Sequence, residues 1–299
     1  MAQAISQTGK LLLNEPMARY TSWRVGGKVD RFYVPAGLAD LQTFLHELPA
    51  DEPIHFVGLG SNLLVRDGGV RGTVILMHNA LTDLRMEDEL IYAEAGVTCA
   101  KLAKFSAKEA KQGAEFFAGI PGTLGGALAM NAGCYGSETW NVVAKVITID
   151  RRGELHTREA SEFITSYRHV DMPVTDEWFI AAWLKLEPGD AHASTQKIKA
   201  LLAQRLNSQP LNMPSAGSTF RNPPGDFAAR LIEASGLKGY VIGGAQVSEK
   251  HANFIVNLGG ANALDIELLI AHMRETVLEK QGVALQQEVK VIGEYEGKH

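Results

Sequence analysis

Two glycine-rich turns are the stretches of this 299-residue chain best suited to chemistry. One is Gly58-Leu59-Gly60-Ser61-Asn62. The other runs from Gly119 to Ser137 and begins Gly119-Ile120-Pro121-Gly122-Thr123-Leu124-Gly125-Gly126-Ala127. Such turns leave backbone N–H groups bare, and bare N–H groups bind phosphate oxygens. Pro121-Gly122 presets a turn, because proline fixes φ and glycine accepts φ > 0. Thr123 stands where it can cap a short helix carrying Gly125, Gly126, Ala127 and Ala129. Each interior glycine costs a helix about 1 kcal/mol relative to alanine. Two in succession therefore serve close backbone approach. Either a flat ligand or a pyrophosphate lies on the amides, or the helix packs tightly on a sheet. The Gly58 turn is no Walker loop, since no Gly-Lys-Ser/Thr follows, and Leu63 stands where a Rossmann fingerprint needs its third glycine. Alone it reads as a plain turn. Two such turns in one domain point to a dinucleotide.

The elements that must hold these turns follow from periodicity. Leu38, Leu41, Leu45 and Leu48 repeat at helical spacing between strands expected at Arg31–Val34 and Ile54–Val57, a β-α-β unit with parallel pairing. The second strand runs directly into the Gly58 turn. Strands are expected at Thr73–Met77 and Leu90–Gly96, and a helix at Cys99–Lys111 leads toward Gly119. Arg151-Arg152-Gly153 marks a hairpin between Val142–Ile149 and Glu154–Thr157. Ser161–Arg168 reads as a short helix or turn, and Trp178–Leu186 as a strand. Pro188-Gly189-Asp190 is the candidate linker. Beyond it, Thr195–Leu206 is helical with Ile198, Leu201, Leu202 and Leu206 on one face. Asp226–Ser235 is a helix stopped by Gly236. Strands are expected at Ala245–Val247 and Asn253–Val256. A helix at Ala263–Gln281 is capped by Asn262 and Asp265, and Val283–Tyr295 closes the chain as a strand. Two domains result: 1–189, with lobes of about 1–78 and 79–189, and 190–299.

Composition bounds the function. Apolar residues at 45% and charged residues at 21% are ordinary for a globular protein. A net charge of −5 without any basic block argues against nucleic acid as partner. No window is long enough to span a bilayer, and the N-terminal residues 1–7 hold no apolar signal core, so a cytoplasmic location is expected. Cys99 and Cys134 make neither a metal spacing nor a disulfide framework and read as free thiols. No His/Cys/carboxylate cluster shows ligand spacing in sequence, so no metal is expected. His55, His251 and His272 read as packing or surface residues.

Six short stretches, in order, resemble the UDP-N-acetylenolpyruvoylglucosamine reductase family. They are Gly58-Leu59-Gly60-Ser61-Asn62, Gly119 to Ala127, Asn131-Ala132-Gly133, Tyr167-Arg168, Gly217-Ser218-Thr219-Phe220-Arg221-Asn222-Pro223 and Gln287-Glu288-Val289. The resemblance covers Thr21 to Glu288. It implies an α+β fold: a two-lobed FAD-binding domain of the vanillyl-alcohol-oxidase type, then a smaller α+β substrate-binding domain. Two departures stand out. His169-Val170 follow the Tyr-Arg pair where the family often has a serine. The chain is also too short after Arg168 for a tyrosine-bearing loop over the substrate, which places it in the shorter branch.

The family reaction implies NADPH as co-substrate, non-covalent FAD and a UDP-sugar substrate, the enolpyruvyl ether of UDP-N-acetylglucosamine. A monomer is expected. The resemblance assigns Ser218 as proton donor, Arg168 to the substrate carboxylate and Glu288 to the developing enolate. A guanidinium binds a carboxylate at two points and stays charged. A carboxylate beside an enolate must be protonated or tied to a donor. Gly58, Gly60, Ser61, Asn62, Gly122, Thr123 and Gly126 are the cofactor residues. Tyr167, Arg205, Gln209, Asn222 and Lys250 are the substrate residues. From the residues alone, Arg168 is a surface arginine, Glu288 an outer-face strand residue and Gly217-Ser218-Thr219 a loop. Two other readings keep the glycine turns: another FAD-dependent oxidoreductase of the same fold, an oxidase or lactone dehydrogenase, and a non-catalytic nucleotide-sugar binding module.

Overall fold

The computed structural model describes residues 8–297. The leader reading of residues 1–7 lies outside them. The fold is α+β. Its helices are α1 (Leu38–Glu47), α2 (Cys99–Lys108), α3 (Leu124–Ala129), α4 (Ala191–Ser208), α5 (Ala228–Ala234) and α6 (Ala263–Gln281). No helix among the described residues is long and apolar enough to cross a membrane. Compactness divides the chain into two units. One holds the described residues up to Leu13, Arg31–Gly58 and Gly72–Ala203; the other holds Asn14–Asp30, Leu59–Arg71 and residues from Gln204 onward. The segments 14–30 and 59–71 therefore group with the C-terminal part of the chain, where a single cut at Gly189 would not put them.

In the first unit an antiparallel sheet has the order Leu155–Glu159, Val143–Asp150, Glu177–Lys185, Leu90–Glu94, Leu84–Glu87. The hairpin at Arg151-Arg152-Gly153 forms as expected. Gly153 takes φ +81°, and Asp150 Oδ1 accepts the amides of Arg152 at 2.8 Å and Glu154 at 3.0 Å. Glu177–Lys185 is central and buried along nearly its whole length, which explains its unbroken apolar run. Ile54–Val57 pairs in parallel with Val70–Leu76. In that sheet Val70–Leu76 separates Ile54–Val57 from Lys28–Val34, so the α1 crossover skips one strand.

In the second unit α6 packs its Ile266, Leu269, Ile270, Met273 and Val277 stripe into a core with Leu231, Ile232, Val247, Ile255 and Trp23. The caps are those expected. Asn262 and Asp265 form a reciprocal capping box, and Gly282 ends the helix at φ 69°. The sheet order is Ser215–Ser218, Phe254–Asn257, Ala245–Val247, Val241–Ile242. Trp23 Nε1 donates to the Ile255 carbonyl at 2.8 Å.

Four expectations are corrected. Residues 283–289 form no strand; only Lys290–Ile292 does, because the preceding residues hydrogen-bond a loop instead of a sheet neighbour. Ser161–Arg168 is a 3₁₀ turn (Ala160–Glu162) followed by a hairpin, Ile164–Ser166 with His169–Asp171. Helix α2 ends at Lys108, and Ala110 turns left-handed at φ 52°. Helix α4 starts four residues early, with Asp190 Oδ1 accepting the Ala193 amide at 2.6 Å. Its apolar face is not core: Ile198 is buried, but Leu202 and Leu206 are exposed. Strands at Lys10–Pro16 and Leu84–Glu87 were not anticipated.

A partly buried ion pair crosses the five-stranded antiparallel sheet of the first unit. Arg158 Nε donates to Glu177 Oε2 at 2.7 Å, and the Thr148 hydroxyl donates to the same oxygen at 2.6 Å. Arg158, ahead of burial's opposing effect, holds the Glu177 carboxyl below its ordinary range. A depressed folded-state pKa stabilises above the unfolded value of about 4.3 and loses that contribution as pH falls through the folded value. Glu177→Gln should therefore lower stability at pH 7 and flatten its decline below about pH 4. Urea unfolding midpoints across pH 3–7 read this; parallel curves for the variant and parent count against it.

Candidate functional site

Glycine and a buried hydroxyl shape the first unit's cavity. It is lined by Phe56, Gly58, Thr123, Gly126, Trp178 and Phe179, among others, and has a volume of about 190 Å³. Phe56 and Trp178 stack at 4.8 Å. A Cβ on Gly58 would meet Thr123 Oγ1 at 2.3 Å, so only glycine allows this approach. The two readings of Gly125-Gly126 divide between the two residues. A Cβ on Gly125 would press on Ala95 at 2.9 Å, so that glycine serves helix-on-strand packing. A Cβ on Gly126 would meet nothing nearer than Thr123 Oγ1 at 3.9 Å, so that glycine leaves open backbone beside the cavity. Thr123 is the N-cap of α3, but its side chain makes no capping bond. Its hydroxyl is buried without a partner among the described residues. A buried, unpaired hydroxyl is costly unless a ligand pairs it. Gly122 has a framework role, accepting the Cys99 amide at 2.9 Å.

The hairpin turn in the same unit carries Tyr167 and Arg168. Tyr167 is exposed, and Arg168 takes φ 57°, a left-handed conformation rare for a long side chain. The Arg168 guanidinium donates to the carbonyls of Gly133 at 2.7 Å and Asn131 at 3.5 Å. Asn131, 2% exposed, donates through Nδ2 to the Ser166 carbonyl at 3.1 Å and to Glu138 at 2.8 Å. The Asn131-Ala132-Gly133 stretch is thus the seat on which Arg168 rests.

The second unit brings Asn62, Ser218 and Glu288 to one backbone network. Gly217 takes φ +74° at an irregularity in the pairing of Ser215–Ser218 with Phe254–Asn257. The following residues are held on both edges. On one edge Thr219 N donates to the Asn253 carbonyl at 2.8 Å, and Asn253's side chain brackets Phe220, accepting its amide at 3.0 Å and donating to its carbonyl at 2.8 Å. On the other edge Arg221 N donates to Gln286 O, and Glu288 N to Thr219 O, both at 2.8 Å. Asn62 Nδ2 donates to the Glu288 carbonyl at 3.2 Å. Gly60 is buried against Tyr20, where a Cβ would sit 1.9 Å from a carbonyl oxygen. Among the described residues, the amides of Gly58, Leu59, Gly60 and Ser61 make no backbone hydrogen bond.

The remaining expected residues gather less tightly. Arg205 Nε donates to Gln209 Oε1 at 3.0 Å at the end of α4, and Lys250 Nζ donates to the Leu206 carbonyl there at 2.7 Å. Asn222 Oδ1 accepts the Ala228 amide at 3.0 Å, capping α5. Two histidines stack on aromatic rings: His272 on Tyr240 at 4.4 Å and His251 edge-on to Phe254 at 4.6 Å. Burial lowers the pKa of His55 and His251. One carboxylate–histidine group escaped the sequence reading. Ligand atoms of Asp150, Glu154 and His156 lie within 4.8 Å of one another. Asp150 already accepts two turn amides and meets His156 Nε2 at 3.1 Å, so hairpin chemistry accounts for the group. Asn253, Thr219 and Trp178 were also missed; none stands in a spacing that signals a role.

Comparisons with known proteins match both the N-terminal and the C-terminal parts of the chain. Residues 29–158 match the family model described as FAD binding domain. Residues 209–292 match that of the UDP-N-acetylenolpyruvoylglucosamine reductase C-terminal domain. The chain is 59% identical to the UDP-N-acetylenolpyruvoylglucosamine reductase of Alkalilimnicola ehrlichii, over 96% of each. It is 56% identical to that of Thiobacillus denitrificans, over 96% of this chain and 93% of the relative. A solved UDP-N-acetylenolpyruvylglucosamine reductase from Thermus caldophilus superposes with a TM-score of 0.80 at 31% identity, covering 95% of this chain and 98% of that one.

The first unit's cavity, with aromatic walls, glycines where a Cβ would collide and an unpaired buried hydroxyl, has room for one segment of a flavin dinucleotide. Thr123→Val keeps the shape and removes that hydroxyl. It should weaken FAD binding roughly tenfold while leaving the apoprotein at least as stable. Flavin-fluorescence titration and thermal unfolding measure the two effects. Unchanged affinity would mean that the hydroxyl does not face the cofactor.

Proposed function

The chain belongs to the UDP-N-acetylenolpyruvoylglucosamine reductase family, and from that premise we propose that it reduces the enolpyruvyl ether of UDP-N-acetylglucosamine to UDP-N-acetylmuramate, with NADPH as reductant, in peptidoglycan precursor synthesis. The observation that carries the reading is the network in the second unit. There the glycine turn, the Gly217–Pro223 loop and Glu288 meet through Asn62 and Thr219. An unrelated flavin oxidase has no need of that arrangement.

FAD, when bound, would supply hydride transfer from NADPH to the β-carbon of the substrate double bond. The protein must then handle charge and a proton. Negative charge grows on the α-carbon and carboxylate, and a proton must reach the α-carbon to complete the addition. Arg168 is assigned to the carboxylate, because its planar donors fit two oxygens at once. Its seat on the Asn131 and Gly133 carbonyls presets the guanidinium's direction. Glu288 is assigned to the developing enolate, which requires its carboxyl to be protonated or tied to a donor. Ser218 is assigned as proton donor to the α-carbon, a weak acid made effective by position. Gly58, Gly60, Ser61, Gly122, Thr123 and Gly126 hold FAD. Tyr167, Arg205, Gln209, Asn222 and Lys250 hold the UDP-sugar. Residues 1–189 then carry the cofactor residues together with Tyr167 and Arg168, and 190–299 the other substrate residues. The free thiols Cys99 and Cys134 suit a reducing compartment, and we place the protein in the cytoplasm as a monomer.

Purified protein should be yellow. Acid precipitation should leave the colour in the supernatant, since Asn62 stands where covalent relatives of such a fold often carry an attaching histidine. A colourless preparation that takes up no flavin favours the binding-module reading, and a yellow pellet means a covalent link. NADPH consumption that ignores the enolpyruvyl nucleotide favours another oxidoreductase.

Ser218→Ala separates the two halves of the reaction. The variant should bind FAD and bleach with NADPH at nearly the parental rate. Its reoxidation by the enolpyruvyl substrate should fall by roughly 10²–10⁴. Rapid-mixing absorbance reads each step. Equal slowing of both makes Ser218 structural, and no slowing moves the proton to another group.

A further inference from the structure

We propose that Asn62 is a positioning residue for Glu288, and that its side chain serves this purpose in place of the cofactor contact expected from the glycine turn. The inference rests on the role given to Glu288 above.

Residues 283–289 belong to no strand. Glu288 is therefore placed by individual hydrogen bonds. Its amide donates to the Thr219 carbonyl at 2.8 Å, and its carbonyl accepts from Asn62 Nδ2 at 3.2 Å. With both peptide groups held, the Cα–Cβ direction of Glu288 is set. Two residues later the ladder begins. Lys290 N donates to the Asn62 carbonyl at 3.1 Å, and Leu63–Val65 pairs in parallel with Lys290–Ile292. Asn62 is thus the last residue before the ladder, and its side chain reaches one step beyond it to the residue the ladder does not hold. Buried Val289 and the Gln287 Nε2 bond to its carbonyl at 2.8 Å close the intervening turn.

The base from which Asn62 reaches is itself rigid. Ser22 N donates to the Gly60 carbonyl at 3.1 Å, and Gly60 lies against the Tyr20 carbonyl too closely for any side chain. The geometry requires a short side chain bearing an N–H donor. Aspartate matches the length but presents an oxygen to an oxygen, and alanine presents nothing. A displacement of about 1 Å at a reacting group can cost 10²-fold in rate, so a single neutral hydrogen bond is enough to matter here.

The test uses Asn62→Ala and Asn62→Asp in the full-length protein, with Glu288→Gln as control. Amide hydrogen exchange is followed in the apoprotein and after FAD loading, together with FAD affinity and the two half-reactions. In both Asn62 variants, exchange at 286–290 should speed at least tenfold while α6 keeps the parental rate. FAD affinity and NADPH bleaching should stay within about threefold of the parent. The enolpyruvyl step should slow roughly 10- to 100-fold. Exchange at 286–290 within about threefold of the parent overturns the proposal. So does an equal slowing of both half-reactions, which would make Asn62 a cofactor contact. If one variant fails to fold, the other decides. A Glu288→Gln enzyme with an unimpaired enolpyruvyl step would remove the role assigned to Glu288 while leaving the exchange result to judge Asn62.

Discussion

Backbone groups outside the sheets must still find hydrogen-bond partners, and in the second unit that requirement ties together the residues of the candidate site. The stretch from Thr219 to Arg221 has no strand on either side. Asn253 satisfies one edge, and Gln286 and Glu288 satisfy the other. These bonds fix a loop that would otherwise be mobile, and they place Glu288 one bond away from the residue after Ser218. They also explain why residues 283–289 form no strand and make only the single antiparallel bridge of Gln287 with Phe220 among the described residues. The Trp23 indole and the Asn257 side chain, which bind backbone carbonyls at 2.8 Å each, brace the Phe254–Asn257 strand that carries the pairing with Ser218.

In the first unit the corresponding constraint is steric. Gly58 and Gly125 each stand where a Cβ would fall within 3 Å of another residue. Close packing at these two points brings the α3 terminus beside the end of Ile54–Val57. What remains between them is a cavity with aromatic walls and one unpaired hydroxyl. The cost of that hydroxyl is a sign of a site that is completed by a ligand. Among the described residues the second unit holds three buried polar atoms without a partner, Thr219 Oγ1, Arg221 Nε and His251 Nδ1, the first of them next along the chain to Ser218.

At Arg168 local backbone strain falls on the residue to which the proposed function gives the substrate carboxylate. A left-handed arginine at a hairpin tip is unfavourable by itself. It persists because the guanidinium is held by two carbonyls, and because Asn131 ties those carbonyls to Ser166 at the end of the same hairpin. The arrangement gives a charged group a fixed direction through backbone carbonyls. The paired arginines elsewhere, Arg66 with Glu267 and Arg158 with Glu177, brace structure instead.

Much of this was legible in the sequence, because the signals are local. The caps of α6, the hairpin at Gly153, the strand at Ala245–Val247 and the two glycine turns each depend on a few neighbouring residues whose conformational preferences agree. The motif stretches also marked the loop with Ser218 and the segment with Glu288. What the chain could not declare by itself were relations between distant residues. Periodicity made Val283–Tyr295 a strand, but its hydrogen bonds go to a loop more than 60 residues away. Helical spacing made Leu202 and Leu206 a core face, but among the described residues nothing covers them. The glycine turn pointed to phosphate, but the side chain of Asn62 goes to Glu288, 226 residues along. Local preference sets which conformations are cheap; only the folded backbone decides which donor meets which acceptor.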